Sequence, residues 1–190
     1  MSAHERRVLF VVGLGTNLGD RLATLRSARE ALGVLGRVVA SSGVYETAPI
    51  GPAQPDFLNA AVLLESSLSA PALLENTLQI ERNHGRERRE RWGPRTLDLD
   101  LLWSDGPALE LPQLTLPHPR VLERAFALMP LLDVFPSHPE KPRFEAQLQR
   151  LDRLGVRSVA VTPEWQLHDP DSLAQPLEDA AEALGGELTQ

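Results

Sequence analysis

The sequence predicts an α+β domain of the ferredoxin-like kind, an antiparallel sheet with helices packed on its faces, followed by a C-terminal extension. Three observations predict it. Runs of strand length rich in Val, Leu and other apolar residues lie at 8–13, 37–45, 57–64 and 96–103. Two stretches with apolar residues at helical spacing fall between the first and second runs and between the third and fourth. The resulting order, β-α-β-β-α-β, is that of the ferredoxin-like arrangement.

Each element has its own signal. The run 8–13 is a buried strand, and Gly13–Gly19 reads as a glycine-rich turn after it. Asp20 caps a helix whose Leu22, Leu25, Ala28, Leu32 and Leu35 share one face, and Gly36 ends it. The stretch 37–45 is β-branched and serine-rich, a second strand. Pro49, Pro52 and Pro55 stiffen the loop that leads to the third strand, 57–64. Ser69 with Pro71 starts a helix to about residue 82, because proline loses nothing where the N–H is unpaired. The strand 96–103 ends at an Asp105-Gly106 turn. A short strand at 114–116, helices over 121–128 and 144–154, and a further strand at 156–161 complete the expectation. The domain is taken as residues 1–162. Residues 163–190 form a polar C-terminal extension with one amphipathic stretch, 173–184, free to be mobile.

The composition narrows the function classes. The chain has 190 residues, 42% of them hydrophobic, enough for a real core, and no cysteine, which excludes disulfides and thiolate metal sites. No apolar run nears the roughly 18 residues of a membrane span, and the run at 8–12 is too short for a signal peptide. A cytoplasmic protein without a membrane partner is expected. The net charge of −7 argues against general nucleic-acid binding. Yet positions 82–95 carry six arginines against two glutamates. Such a cationic segment marks either a specific anionic ligand or a solvated face.

The strand 96–103 reads TLDLDLLW. Side chains alternate along a strand, so Leu97, Leu99 and Leu101 face a core while Asp98 and Asp100 lie side by side on the other face. They would stand roughly 7 Å apart, repelling each other unless a cation lies between them. Hard carboxylate oxygens suit Mg²⁺, which keeps waters and accepts phosphate oxygens, and two such ions could be held here. The plainer alternative is a solvated strand face. Aspartate is disfavoured in strands, which weighs against it.

The arginine segment contains Arg86, Arg88 and Arg95, whose guanidinium groups could bind phosphate oxygens in bidentate fashion. A solvated helix end with internal ion pairs explains it equally well. Trp92 could stack on an aromatic ring. The glycines of 13–19 are spaced G-x-G-x-x-x-G, one residue too long for a dinucleotide fingerprint. His118 sits between Pro117 and Pro119, suited to a positioned contact or to a structural role. Asn59 lies among apolar neighbours and needs hydrogen-bond partners, either a flat heterocycle or backbone groups.

Taken together, GLGTNLGD (13–20), YETAPIGPAQPDFLNAA (45–61), IERNHGRERRERWGPRTLDLDLL (80–102) and LTLPHPRVLERAF (114–126) resemble the 6-hydroxymethyl-7,8-dihydropterin pyrophosphokinase family. The resemblance implies Mg²⁺-dependent transfer of pyrophosphate from ATP to the pterin alcohol, in folate biosynthesis. It implies two Mg²⁺ ions on Asp98 and Asp100, with Arg86 and Arg95 in catalysis. Glu81, Arg88, Trp92, Leu101, Thr115, His118 and Arg124 would line the ATP site. Thr47, Pro49, Ile50, Phe57, Asn59, Trp92 and Phe126 would line the pterin site. Small-molecule substrates, no nucleic acid and a monomer are expected. Two other readings share these residues: a Mg²⁺ nucleotidyltransferase with another acceptor, and a non-catalytic ferredoxin-like nucleic-acid-binding module.

Overall fold

A computed structural model of the chain describes residues 7–49, 51–86, 93–161 and 165. Its elements follow the expected order. Strand β1 (Val8–Thr16) leads to helix α1 (Arg21–Gly33). Strands β2 (Arg37–Ser41), β3 (Val44–Thr47) and β4 (Phe57–Ser66) come next, then α2 (Ala70–Asn83) and β5 (Asp98–Ser104). A small hairpin of β6 (Leu109–Leu111) and β7 (Leu114–Leu116) precedes a 3₁₀ turn, Val121–Glu123. Helices α3 (Ala125–Val134) and α4 (Lys141–Leu148) and strand β8 (Val156–Val159) close the described chain.

The main sheet runs β5-β1-β4-β3-β8, with β2 also paired to β4. The pairings that build it are antiparallel. Each face carries its own core. On one face, Leu25, Ala28 and Leu32 of α1 and Leu73 and Ile80 of α2 pack on Phe10, Val12, Leu14, Leu58, Ala60, Val62, Leu64, Leu97, Leu99 and Leu101. On the other, Leu128, Leu131 and Val134 of α3 and Phe144 of α4 pack on Val11, Val39, Ala61, Leu63, Leu102 and Trp103. The α+β, ferredoxin-like expectation holds. Each buried leucine removed from water contributes about 1.5–3 kcal/mol to holding these layers together.

The helix starts follow the sequence signals. Asp20 Oδ1 accepts from Ala23 N–H at 3.0 Å, and the Ser69 hydroxyl accepts from Ala72 N–H at 3.4 Å with proline in the first turn of α2. Other boundaries differ. The predicted strand 37–45 is broken at Ser42 and Gly43, where Ser42 N–H still donates to Ala61 O at 2.9 Å but Ala61 N–H donates to the Ser42 side-chain Oγ at 2.8 Å. Gly36 does not end α1, which stops at Gly33. Gly36 instead passes β4 so closely that a Cβ would lie 2.2 Å from Glu65 O. The predicted helix 121–128 is a 3₁₀ turn followed by α3, which continues past Pro130 because its buried face still packs on the sheet. The predicted helix 144–154 lies further back, at Lys141–Leu148, with Pro142 in its first turn.

Two features escaped the sequence reading. The hairpin strand β6 is three residues long. Trp165 is fully buried, and its indole N–H donates to Ser42 O at 2.6 Å. The amphipathic stretch 173–184 lies outside the described residues.

Candidate active site

The floor of the site is set by strand register. Gly15 of β1 pairs with Asn59 of β4 on one side and Asp98 of β5 on the other. Two residues back, Gly13 pairs with Ala61 and with Asp100. Two rows therefore run across three strands, Asn59–Gly15–Asp98 and Ala61–Gly13–Asp100, on the α3 face. Neither glycine raises a side chain between its neighbours. A Cβ on Gly15 would lie 3.5 Å from Asn59 Oδ1 and 3.8 Å from the Cβ of Asp98. This corrects the reading of 13–19 as a turn: β1 runs on to Thr16, and its glycines open a cleft.

The walls come from loops and α3. Thr47, Ala48, Gln54 and Phe57 form one side; Arg124, Phe126 and Ala127 form another; Gly93 and Arg95 close a third. The cleft encloses ≈ 160 Å³ on three sides and opens to solvent on the fourth. The Asn59 amide donates to Thr47 Oγ1 at 2.8 Å, which fixes its plane and leaves its oxygen beside the cleft. Phe57 and Phe126 supply apolar surface at either side. The Arg124 guanidinium lies 5.7 Å from the Phe126 ring centroid, a cation–π approach.

Charge is concentrated at the β5 end. Asp98 is ion-paired with Arg95 and, at 2.8 Å, with Arg86. Arg86 also pairs with Glu81, and Glu81 accepts the Leu99 N–H at 2.7 Å. Glu81 thus ties the end of α2 to β5, just behind the aspartates. Among the described residues, none donates a hydrogen bond to the Asp100 carboxylate. Burial pushes its pKa up to about 6, and the negative charges of Asp98 and Glu81 push the same way, against Arg124 and Arg95. Burial likewise raises Glu81, opposed by the Leu99 N–H and Arg86. His118 is lowered from its ordinary value by burial, Arg124 and Arg120.

The aspartates are therefore neighbours on one face, as the alternation predicts, but Asp98 also has guanidinium partners. Among the described residues, no three His, Asp or Glu side chains converge as a complete metal cage. Two carboxylates still suit Mg²⁺, which takes part of its shell from water and substrate. Burial is the main cause of the raised Asp100 pKa, with its carboxylate neighbours second, and a cation beside it would oppose both.

Of the residues named from the sequence, Thr47, Phe57, Asn59, Arg95, Asp98, Asp100, Arg124 and Phe126 meet at the cleft. Arg86 and Glu81 stand behind it. Pro49, Thr115 and His118 lie off its lining, and the Leu101 side chain is in the opposite core, so it has only backbone to offer a ligand. Ile50, Arg88 and Trp92 lie outside the described residues. Gly13, Gly15, Gln54, Gly93 and Leu102 line the cleft without having been singled out as ligand contacts. The alternate glycines at 13 and 15 were the available signal.

Comparison with known proteins places these features in context. The family model "7,8-dihydro-6-hydroxymethylpterin-pyrophosphokinase (HPPK)" matches residues 11–136. The 2-amino-4-hydroxy-6-hydroxymethyldihydropteridine pyrophosphokinase of Synechocystis is 40% identical over 160 residues, covering 83% of this chain and 82% of that protein. The enzyme of the same name from Bacillus subtilis is 43% identical over 149 residues, covering 77% and 87%. Among solved structures, an HPPK-DHPS in complex with substrates superposes with a TM-score of 0.63 at 13% identity, covering 82% of this chain and 47% of that one. The Plasmodium falciparum HPPK-DHPS gives a TM-score of 0.58 at 14% identity, covering 76% and 43%. The chain spans less than half the length of these two structural neighbours, and the likeness speaks for the fold.

Proposed function

Since the chain belongs to the 7,8-dihydro-6-hydroxymethylpterin-pyrophosphokinase family, and is thereby a diphosphokinase of folate synthesis, we propose that ATP is its donor, that Mg²⁺ assists, and that transfer takes place in the cleft over Gly13 and Gly15. One observation carries the proposal: the pairing of Asn59, Gly15 and Asp98 in one row. It sets a group able to read a heterocycle and a carboxylate pair on one uninterrupted surface.

In this reading the flat pterin lies between Phe57 and Phe126. The Asn59 oxygen, its amide nitrogen engaged by Thr47, accepts from an N–H edge of the ring. Asp98 and Asp100 would hold Mg²⁺, which when bound neutralises phosphate charge and polarises the β-phosphoryl group. Arg86 and Arg95 bind phosphate oxygens, and Arg124 adds a third cation at the mouth. The apolar walls hold the pterin so that its alcohol points at the phosphoryl group. The pterin oxygen attacks the β-phosphorus, its bond to the α–β bridging oxygen breaks, AMP leaves, and the alcohol proton passes to solvent. Positioning and charge neutralisation supply most of the rate. Monomeric state and cytoplasmic location remain part of the same reading.

The test is product analysis. The protein, ATP, Mg²⁺ and the hydroxymethyl dihydropterin should give AMP and the pterin diphosphate in equal amounts. Release of pyrophosphate would mean nucleotidyl transfer instead, and ADP would mean simple phosphorylation.

A further inference from the structure

Asn17 follows β1 directly and is 1% exposed, so it touches no substrate. Its amide is fully committed on both sides. Nδ2 donates to Gln54 Oε1 at 2.9 Å and to Pro55 O at 3.0 Å. Oδ1 accepts from Arg95 N–H at 2.7 Å, and the Asn17 N–H donates to Arg95 O at 3.1 Å. The orientation of the amide is not ambiguous. A backbone N–H can only donate and a backbone carbonyl can only accept, so the oxygen must face Arg95 and the nitrogen must face Pro55.

The partners on the two sides belong to different halves of the cleft. Gln54 lines it beside Phe57, at the end of the proline-stiffened loop. Arg95 lines it beside Asp98, with which its guanidinium is ion-paired. Arg95 lies in irregular chain between the undescribed residues 87–92 and the start of β5, where no sheet ladder fixes its backbone. The two bonds to Asn17 hold both its N–H and its carbonyl. No other side chain of asparagine's length offers two donors and an acceptor in one plane. Aspartate would lose both donors, and leucine would leave the Arg95 N–H and Pro55 carbonyl without partners.

We propose that Asn17 is a positioning residue: it staples the loop at 54–55 to Arg95 and thereby sets the guanidinium of Arg95 for pyrophosphoryl transfer. The role rests on the function proposed above, because it acts through Arg95. Loss of the staple shifts Arg95 relative to the phosphates, and a displacement on the order of 1 Å lowers turnover about 100-fold.

The experiment is a double-mutant cycle with steady-state kinetics and thermal melts. Asn17→Ala, and Asn17→Ser as a milder change should the alanine variant not fold, are made in the wild-type and Arg95→Ala backgrounds. In the wild type, kcat per folded molecule should fall by about 10–100-fold. In the Arg95→Ala background, which has no guanidinium left to position, the same change should lower kcat by less than about 3-fold. Equal losses in the two backgrounds, or a lower melting temperature with kcat per folded molecule unchanged, would overturn the proposal. A wild-type protein that makes no AMP and pterin diphosphate would instead bring down the functional reading itself.

Discussion

The two faces of the same strands differ sharply. On the face covered by α1 and α2, β1 and β5 present Val12, Leu14, Leu97, Leu99 and Leu101, all buried in one core. On the face covered by α3, the same strands present Gly13, Gly15, Asp98 and Asp100, and α3 covers them incompletely. Packing is complete on the first face and withheld at one end of the second. An alternating strand can thus carry a sealed core on one side and a reactive cleft on the other, provided the cleft side is kept small or charged. The two sides should respond oppositely to mutation: the closed face in stability, the open face in turnover.

The largest effect is expected on the open face. Asp100→Ala should lower the rate of AMP formation by about 10³-fold or more, because it removes half of the anionic pair. Its melting temperature should not fall, because a carboxylate disfavoured by burial and by Asp98 and Glu81 is removed. Next comes the closed face. Leu32→Ala, at a position with no exposure, should destabilise by about 2–5 kcal/mol in urea unfolding and leave kcat per folded molecule unchanged. A large loss of kcat there would blur the division between the faces.

Two smaller changes sharpen it. Gly15→Ala places a methyl group in ordinary contact with Asn59 Oδ1. It should leave the melting temperature within a few degrees of wild type but raise KM for the pterin by about tenfold, the effect of roughly one methylene's worth of space in a pocket. Asp20→Ala removes the α1 cap seen at 3.0 Å. It should cost about 1 kcal/mol with no kinetic consequence, since α1 belongs to the closed side.

The closed face was also the more legible in the sequence. Leu25, Ala28 and Leu32 announce their helix by spacing, and Leu97, Leu99 and Leu101 announce theirs as a strand by alternation. Asp20 and Ser69 mark helix starts through local hydrogen bonds that need no knowledge of the fold. The aspartates of the open face were equally plain, because the same alternation that buries the leucines sets Asp98 and Asp100 together. The strand was ended at Gly13, and Gly15 was read into a turn, because glycine ordinarily weakens strands. Here it is placed for what it leaves out. Asn17 had no signal of its own, since its partners are 37, 38 and 78 residues away. Trp165 escaped for the same reason: its contact with Ser42 spans 123 residues. The guanidinium partners of Asp98 show a further limit. Arginines and aspartates close in sequence can be read as separate ligands for phosphate and metal, while in the structure they satisfy one another.

The central claim is that the open end of the α3 face holds divalent cations through Asp98 and Asp100. Its most direct test is a Mn²⁺ titration followed by electron paramagnetic resonance, with a non-hydrolysable ATP analogue present, on the wild type and on Asp100→Asn. The account predicts two Mn²⁺ bound per wild-type chain and at least a tenfold weakening of one of them in the variant. The same stoichiometry and affinity in both proteins would contradict it.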